Sequence, residues 1–202
     1  MMQRPFHKQH IDLLIDAFKK DPMFVKLFKG EKKDRQMRAF FKFVYLRNRY
    51  MNGLYITDSN DEPSYVAFVE KPFEITRINI INKLRREFEM LRLTFFIPFK
   101  SLRLLSKYEA ITAKHRPKDT HYYLTMIAVC RNMQGQGLGK KVIEQIHSMV
   151  SKDSKVSSIC LDTENIKNVS YYEKLGYELV CEEQLEEVSI YCMKKPLYRK
   201  LV

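Results

Sequence analysis

The residues whose types and spacing could do chemistry lie between Tyr123 and Tyr177. Gln134-Gly135-Gln136-Gly137-Leu138-Gly139 gathers three of the chain's six glycines into five positions. The run before it, Tyr123 to Val129, is apolar and β-branched enough for a strand buried on both faces. After it, Leu138, Val142, Ile143, Ile146, Met149 and Val150 recur at the three- and four-residue steps of an amphipathic helix. In a strand–glycine loop–helix layout, free amides at the helix start collect an anion, helped by the partial positive charge there. Glycines let that backbone approach a diphosphate without intervening side chains, and Lys140 and Lys141 add charge. The P-loop is excluded because Lys141 stands where Ser or Thr is needed. The dinucleotide fingerprint is excluded because the loop reads Gly-x-Gly-x-Gly. Further on, Asn165 and Tyr172 are seven residues apart, so they share one side of a helix two turns apart.

The elements that must position these residues follow from periodicity. Ile11, Leu14, Ile15 and Phe18 predict a short helix that Asp21-Pro22 stops, and Met23 to Phe28 adds a turn or two. Met37, Phe40, Phe41, Val44 and Tyr45 form an aromatic helical stripe that reads as core, with Gly53 at its end. Gly53–Thr57 and Ser64–Glu70 predict a hairpin around residues 58–63. Ile78, Ile81, Leu84, Phe88 and Leu91 resume helical spacing. Pro98 interrupts it, and Leu102, Leu105, Tyr108 and Thr112 predict another helix. Val156–Asp162 reads as a strand, Asn165–Leu175 as a short helix capped by Gly176, and two closing strands cover 177–182 and 188–194.

Gln134 to Gly139 matches the pattern Gln/Arg-x-x-Gly-x-Gly/Ala at each fixed position. Asn165, then Tyr171-Tyr172-Glu173-Lys174-Leu175-Gly176-Tyr177, follows the strand Ile159–Asp162. In this order the two segments resemble the GNAT superfamily of N-acetyltransferases, clearly so over residues 121–180. The resemblance implies an α+β fold, a mixed and mostly antiparallel central sheet with a V-shaped splay, flanked by helices. It implies one domain over 1–202, with 1–120 as a helical, basic acceptor side and 121–202 as the acetyl-CoA core. The helical insert at 74–115 departs from the commonest layout of that family. Acetyl-CoA is the implied cosubstrate. Met126, Ile127, Ala128 and Val129 would flank its pantetheine arm, with the backbone of Ile127 and Val129 pairing to it as an added strand does. Amides of Gln134, Gly135, Gln136, Gly137, Leu138, Gly139 and Lys140 would hold the pyrophosphate. Asn165 would reach the pantetheine or the mouth of the cleft, with Asn168 and Tyr172 also on the cofactor side.

The implied chemistry is aminolysis of a thioester by direct transfer in a ternary complex. It needs a neutral amine, a polarised carbonyl and a route for protons. Only about one alkyl amine in a thousand is neutral at pH 7, so desolvation or a base must supply the rest. Backbone N–H of Ile127 or Ala128 would polarise the acetyl oxygen, and Tyr172 would protonate the leaving thiolate. Tyr172 packing without a chemical role is the alternative. Members of the family often place Glu or His on the central strand, on the face of positions 123 and 125. Those are Tyr123 and Thr125 here. The base candidates are therefore His121, on that face by alternation, Glu70 at the end of an earlier strand, or a water chain. No cysteine is expected at the thioester, which argues against an acetyl-Cys intermediate.

Bulk properties narrow the classes. The chain has 202 residues with 13 Phe and 12 Tyr, enough for a real core. No apolar run approaches a membrane span and no signal-like segment opens the chain, so a cytoplasmic location is expected. The cysteines at 130, 160, 181 and 192 form no metal-like pair and read as reduced, buried thiols, with no metal site. The net charge of +12 is lopsided. Residues 1–120 carry 25 Lys/Arg against 14 Asp/Glu, whereas residues 121–202 carry 11 against 10. That excess would attract an anionic acceptor, nucleic acid or acidic lipid, or else mark solvated helix faces. No helix-turn-helix or RNP-like pattern supports nucleic acid. The expected acceptor is a small-molecule or peptide amine, one that also carries negative charge being favoured. A homodimer is compatible. The alternative class is a regulatory module that keeps the acyl-CoA cleft without turnover, which the missing strand carboxylate would suit.

Overall fold

β-Branched and aromatic runs build a six-stranded sheet in the order β1-β2-β3-β4-β6-β5. The strands are β1 (Leu54–Thr57), β2 (Tyr65–Glu70), β3 (His121–Val129), β4 (Ser158–Thr163), β5 (Glu178–Leu185) and β6 (Val188–Pro196). The computed structural model describes residues 6–58, 62–72 and 79–197. The centre of the expected hairpin turn, residues 59–61, and Ile78 lie outside them. All neighbours pair antiparallel except β3 and β4, which are parallel and joined through helix α6 (Leu138–Val150). A parallel pair needs such a crossover.

Helices cover both faces. On one side, α1 (Lys8–Phe18), α2 (Pro22–Leu27), α3 (Lys33–Tyr50), α4 (Ile80–Leu93) and α5 (Phe99–Lys114) form the layer. Its core runs from Leu14, Phe24 and Phe41 to Phe68, Ala128 and Ile190 of the sheet. On the other, α6 and α7 (Ile166–Glu173) bury Ile143, Ile146 and Tyr172 against Leu124, Ile159 and Leu161. Asp21 starts α2 by accepting the amides of Met23 (3.0 Å) and Phe24 (3.2 Å), with Pro22 at the first helical position.

The role of Gly53 is steric. Asn52, at φ 54°, makes the left-handed turn after α3. A Cβ on Gly53 would meet Asn48 Nδ2 at 2.4 Å, and that buried amide donates to Val69 O at 3.3 Å. Gly53→Ala should therefore destabilise by about 1–3 kcal/mol and lower Tm by about 5 °C in a thermal melt. An unchanged Tm would mean that Asn48 moves aside freely.

Two strand details position the site. β3 and β4 pair only from His121–Ser158 to Leu124–Leu161, after which the strands run on unpaired. At that point β3 is bulged against β2: Leu124 faces Val69 and Met126 faces Phe68, leaving Thr125 without a partner. A bulge bends and twists its strand, and here it carries the end of β3 away from β4. It also resets the alternation. Tyr123 is followed on its face by Met126 and Ala128, while Leu124 is followed by Ile127 on the α6 side.

Candidate active site

The gap between the ends of β3 and β4 opens on a cavity of about 170 Å³. Its floor is Tyr123–Ile127 of β3 and Leu161–Glu164 at the end of β4. Asn168 and Tyr172 of α7, Phe40, Phe43 and Arg47 of α3, and Tyr108 and Glu109 of α5 close it. The ladder bonds of β3 decide what its free edge offers. Cys130 N–H donates to Ser64 O at 2.9 Å, toward β2. By alternation Ala128 also faces β2, so the backbone groups of Ile127 and Val129 face the gap. Gln134 Nε2 already holds the Val129 carbonyl at 2.9 Å, which ties the glycine loop to the strand end.

The loop itself is an array of free donors. After a 3₁₀ turn at Arg131–Met133, Gly135 and Gly137 take φ of +77° and +79°. The first helical bond of α6 runs from Lys141 N–H to Gly137 O at 3.1 Å. Ahead of it the amides of Gly135 to Lys140 have no acceptor among the described residues. Gly139 keeps the passage open, since a Cβ there would stand 3.2 Å from Tyr171 Oη. Lys140 leans toward Glu144 at 3.8 Å.

Tyr172 is buried at the gap. Burial, then Tyr171, Asp162 and Glu164, holds its phenol well above the ordinary range, so it stays protonated. No hydrogen bond to its hydroxyl is found among the described residues. Asn168, one turn before Tyr172, lines the cavity and donates to Thr163 Oγ1 at 3.0 Å. Asn165 instead caps α7, accepting Lys167 N–H at 3.1 Å, and is exposed.

The main chemical feature that sequence reasoning missed is a half-buried acid cluster. Asp162 is the first β4 residue past the last β3 pair and accepts from the hydroxyls of both Tyr108 and Tyr123. Tyr108 Oη also contacts Glu164, whose raised carboxyl can supply the proton of that bond, and beside Glu164 lies Asp21. Burial pushes all three carboxyls up, Glu164 furthest, with Asp21 and Asp162 adding like charge to its site. Burial likewise pushes Tyr108 and Tyr123 up, so both remain donors. The Arg116 guanidinium sits 3.7 Å from the Tyr123 ring centroid. The only signal in the chain was an acid ending an apolar strand, and Asp21 read simply as a helix stop.

The two base candidates from alternation and strand order sit differently. His121 is at the zipped end, opposite Ser158, with Nδ1 on the Asp119 carbonyl at 2.8 Å, and it does not line the cavity. Glu70 does line it, but its oxygens face Arg47 at 3.1 Å and Arg116 at 3.4 Å. β3 itself carries no carboxylate, and the acid at the cleft comes from Asp162 of the neighbouring β4. The positive excess of the first half does not extend to this cavity. The cavity lining carries Asp21, Glu70, Glu109, Asp162 and Glu164 against only Arg47 and Arg116.

The sheet is split at its parallel pair, and the glycine loop stands at the split. The family described as the acetyltransferase (GNAT) domain matches residues 68–195, and the chain belongs to it. It is an acetyl-CoA-dependent acyltransferase. Among solved structures, it is similar to the histone acetyltransferase HPA2 and related acetyltransferase of Corynebacterium glutamicum. That likeness has 20% identity over 98% of this chain and 97% of that one, at a TM-score of 0.64. It is also similar to arylalkylamine N-acetyltransferase 2 of Aedes aegypti, at 15% identity over 96% and 98% of the chains, TM-score 0.59. A third likeness is to the NatC complex bound to Gag peptide and CoA, at 14% identity over 96% and 97%, TM-score 0.50.

Proposed function

We propose that this enzyme acetylates a compact primary amine by direct transfer in a ternary complex. The observation that carries this reading is the coincidence of the β3–β4 split with a carboxylate-lined cavity. Acetyl-CoA supplies an activated acetyl carbonyl. The backbone edge of Ile127 and Val129 binds the pantetheine arm as an added strand, and the amides from Gly135 to Lys140 take the pyrophosphate. Ile127 N–H, which faces the gap, polarises the acetyl oxygen.

Glu164, with Asp21 and Asp162 beside it, accepts the proton that the amine loses as its nitrogen bonds to the carbonyl carbon. Tyr172 gives a proton to the sulfur as the carbon–sulfur bond breaks. A carboxyl raised by burial is a stronger base than an ordinary carboxylate.

Acceptor size follows from the space. A dry cavity of about 150 Å³ takes a benzene molecule, and this one, at about 170 Å³, joins an acidic end to walls from Phe18, Phe24, Phe40 and Phe43. The buried Thr125 Oγ1 lacks a partner among the described residues, which suits a polar substrate atom. The test is thiol release with acetyl-CoA over an amine panel. Small amines on an apolar body should exceed polyamines and peptides by about tenfold or more in kcat/KM, equivalent to about 1.4 kcal/mol. Equal or better rates with peptides would overturn the acceptor reading.

The loop gives a separate prediction. Gly137→Ala places a Cβ at positive φ, at a cost of about 1–2 kcal/mol. The KM for acetyl-CoA should rise about tenfold with kcat little changed in steady-state assays. An unaltered KM would remove the loop from cofactor binding.

A further inference from the structure

The charge excess of the first half and helix α4 have no part in the chemistry above. α4 is amphipathic, but its polar side faces the protein. Asn82, Arg86 and Glu89 are half-buried, Leu93 is buried, and Arg86 Nη1 lies 3.5 Å from Met51 Sδ of the α3 end. The apolar stripe faces solvent. Ile80, Ile81, Leu84, Phe88 and Leu91 fall within an arc of about 100° at 3.6 residues per turn, and all are exposed, Leu84 at 64% and Phe88 at 62%. Phe95 and Phe99 extend the apolar surface past the helix end, at 81% and 80% exposure. Scattered exposed apolar residues are ordinary, whereas a continuous stripe with its polar side turned inward is a contact surface.

Charge selects the partner. From Lys83 to Lys107 the chain holds seven Lys/Arg against Glu87 and Glu89. Lys83 flanks the stripe on one side, with Arg85 and Arg92 on the other, where long stems reach along an apolar boundary. Beyond Phe99, Lys100, Arg103 and Lys107 line a groove of about 470 Å³ together with Lys26 and Lys29, Glu186 being its one carboxylate. A symmetric pairing of two such faces would set like charges against each other. No helix among the described residues is long and apolar enough to cross a membrane. We infer that α4 and the start of α5 dock in the plane of an anionic lipid bilayer, apolar stripe down, with the flanking cations on its headgroups. That is the physics of an interfacial amphipathic helix, with each basic residue near an anionic surface strengthening attachment.

The experiment is co-sedimentation of the full chain with phosphatidylcholine vesicles, with and without phosphatidylserine, at low and high salt. Partition onto the serine-lipid vesicles is expected to exceed that onto neutral ones by about tenfold or more and to weaken with salt. Leu84→Glu with Phe88→Glu should lower partition by about tenfold or more. Lys83→Gln with Arg85→Gln should lower it about tenfold. Thermal midpoints and thiol release in solution should stay unchanged in both variants. Three results would overturn the assignment. They are absence of partition at low salt, partition indifferent to both variants, and a dimer in sedimentation velocity that Leu84→Glu with Phe88→Glu dissociates.

Discussion

Tyr172→Phe is expected to lower kcat about a hundredfold, the lower end of what a positioned proton donor contributes, with little change in KM for acetyl-CoA. The phenol is buried, unpartnered and held protonated by its surroundings, so it can donate at every pH at which the enzyme works. The loss should therefore be uniform across pH. Because the hydroxyl makes no hydrogen bond among the described residues, removing it leaves no orphaned partner, and Tm should stay the same or rise. A packing role alone predicts the reverse: altered Tm and unaltered kcat.

Glu164→Gln separates activity from stability in sign. As a base, Glu164 must be deprotonated, so the wild-type rate should climb with pH through the raised carboxyl range and then level off. The amide cannot take the proton, and kcat/KM should fall about a hundredfold with that limb reduced. Asp162→Asn should shift the limb toward lower pH, since it removes a like charge that raises Glu164. Stability runs the other way. Above the ordinary carboxylate range the folded chain keeps a proton that the unfolded chain has lost, so rising pH removes stability until the folded group ionises. Glu164→Gln removes this dependence, and its thermal midpoint should exceed that of wild type increasingly toward alkaline pH. A variant that is both less stable and equally active would assign the cluster to the fold rather than to the reaction.

How much of this was legible in the chain depends on the range of the interactions. The glycine loop, α6 and the order of strands follow from local patterns that read out directly as backbone geometry. The split between β3 and β4 was expected only through resemblance. Its local cause, the unpaired Thr125, bears no residue type that marks a bulge. That one extra residue is also why simple alternation misjudged which side chains follow Tyr123 on its face. The acid cluster was hidden because Asp21, Tyr108, Asp162 and Glu164 come from four separate elements, and each reads locally as a cap, a helix residue or a strand end. Asn168 rather than Asn165 lines the cavity because Asn165 is used as the cap of α7. For α4, periodicity correctly gave a helix with an apolar stripe. It could not tell which side would meet the protein, and the packing of Arg86 and Leu93 decides that.

The central claim is that the free edge of β3 grips the thioester arm, and amide exchange by NMR with and without CoA tests it most directly. Saturating CoA should slow exchange at Ile127, Val129 and the Gly135–Lys140 amides by about tenfold or more, while Ala128, already bonded toward β2, stays as it was. If Ile127 is as protected as Ala128 before CoA is added, or no loop amide responds to it, the cleft does not work in this way.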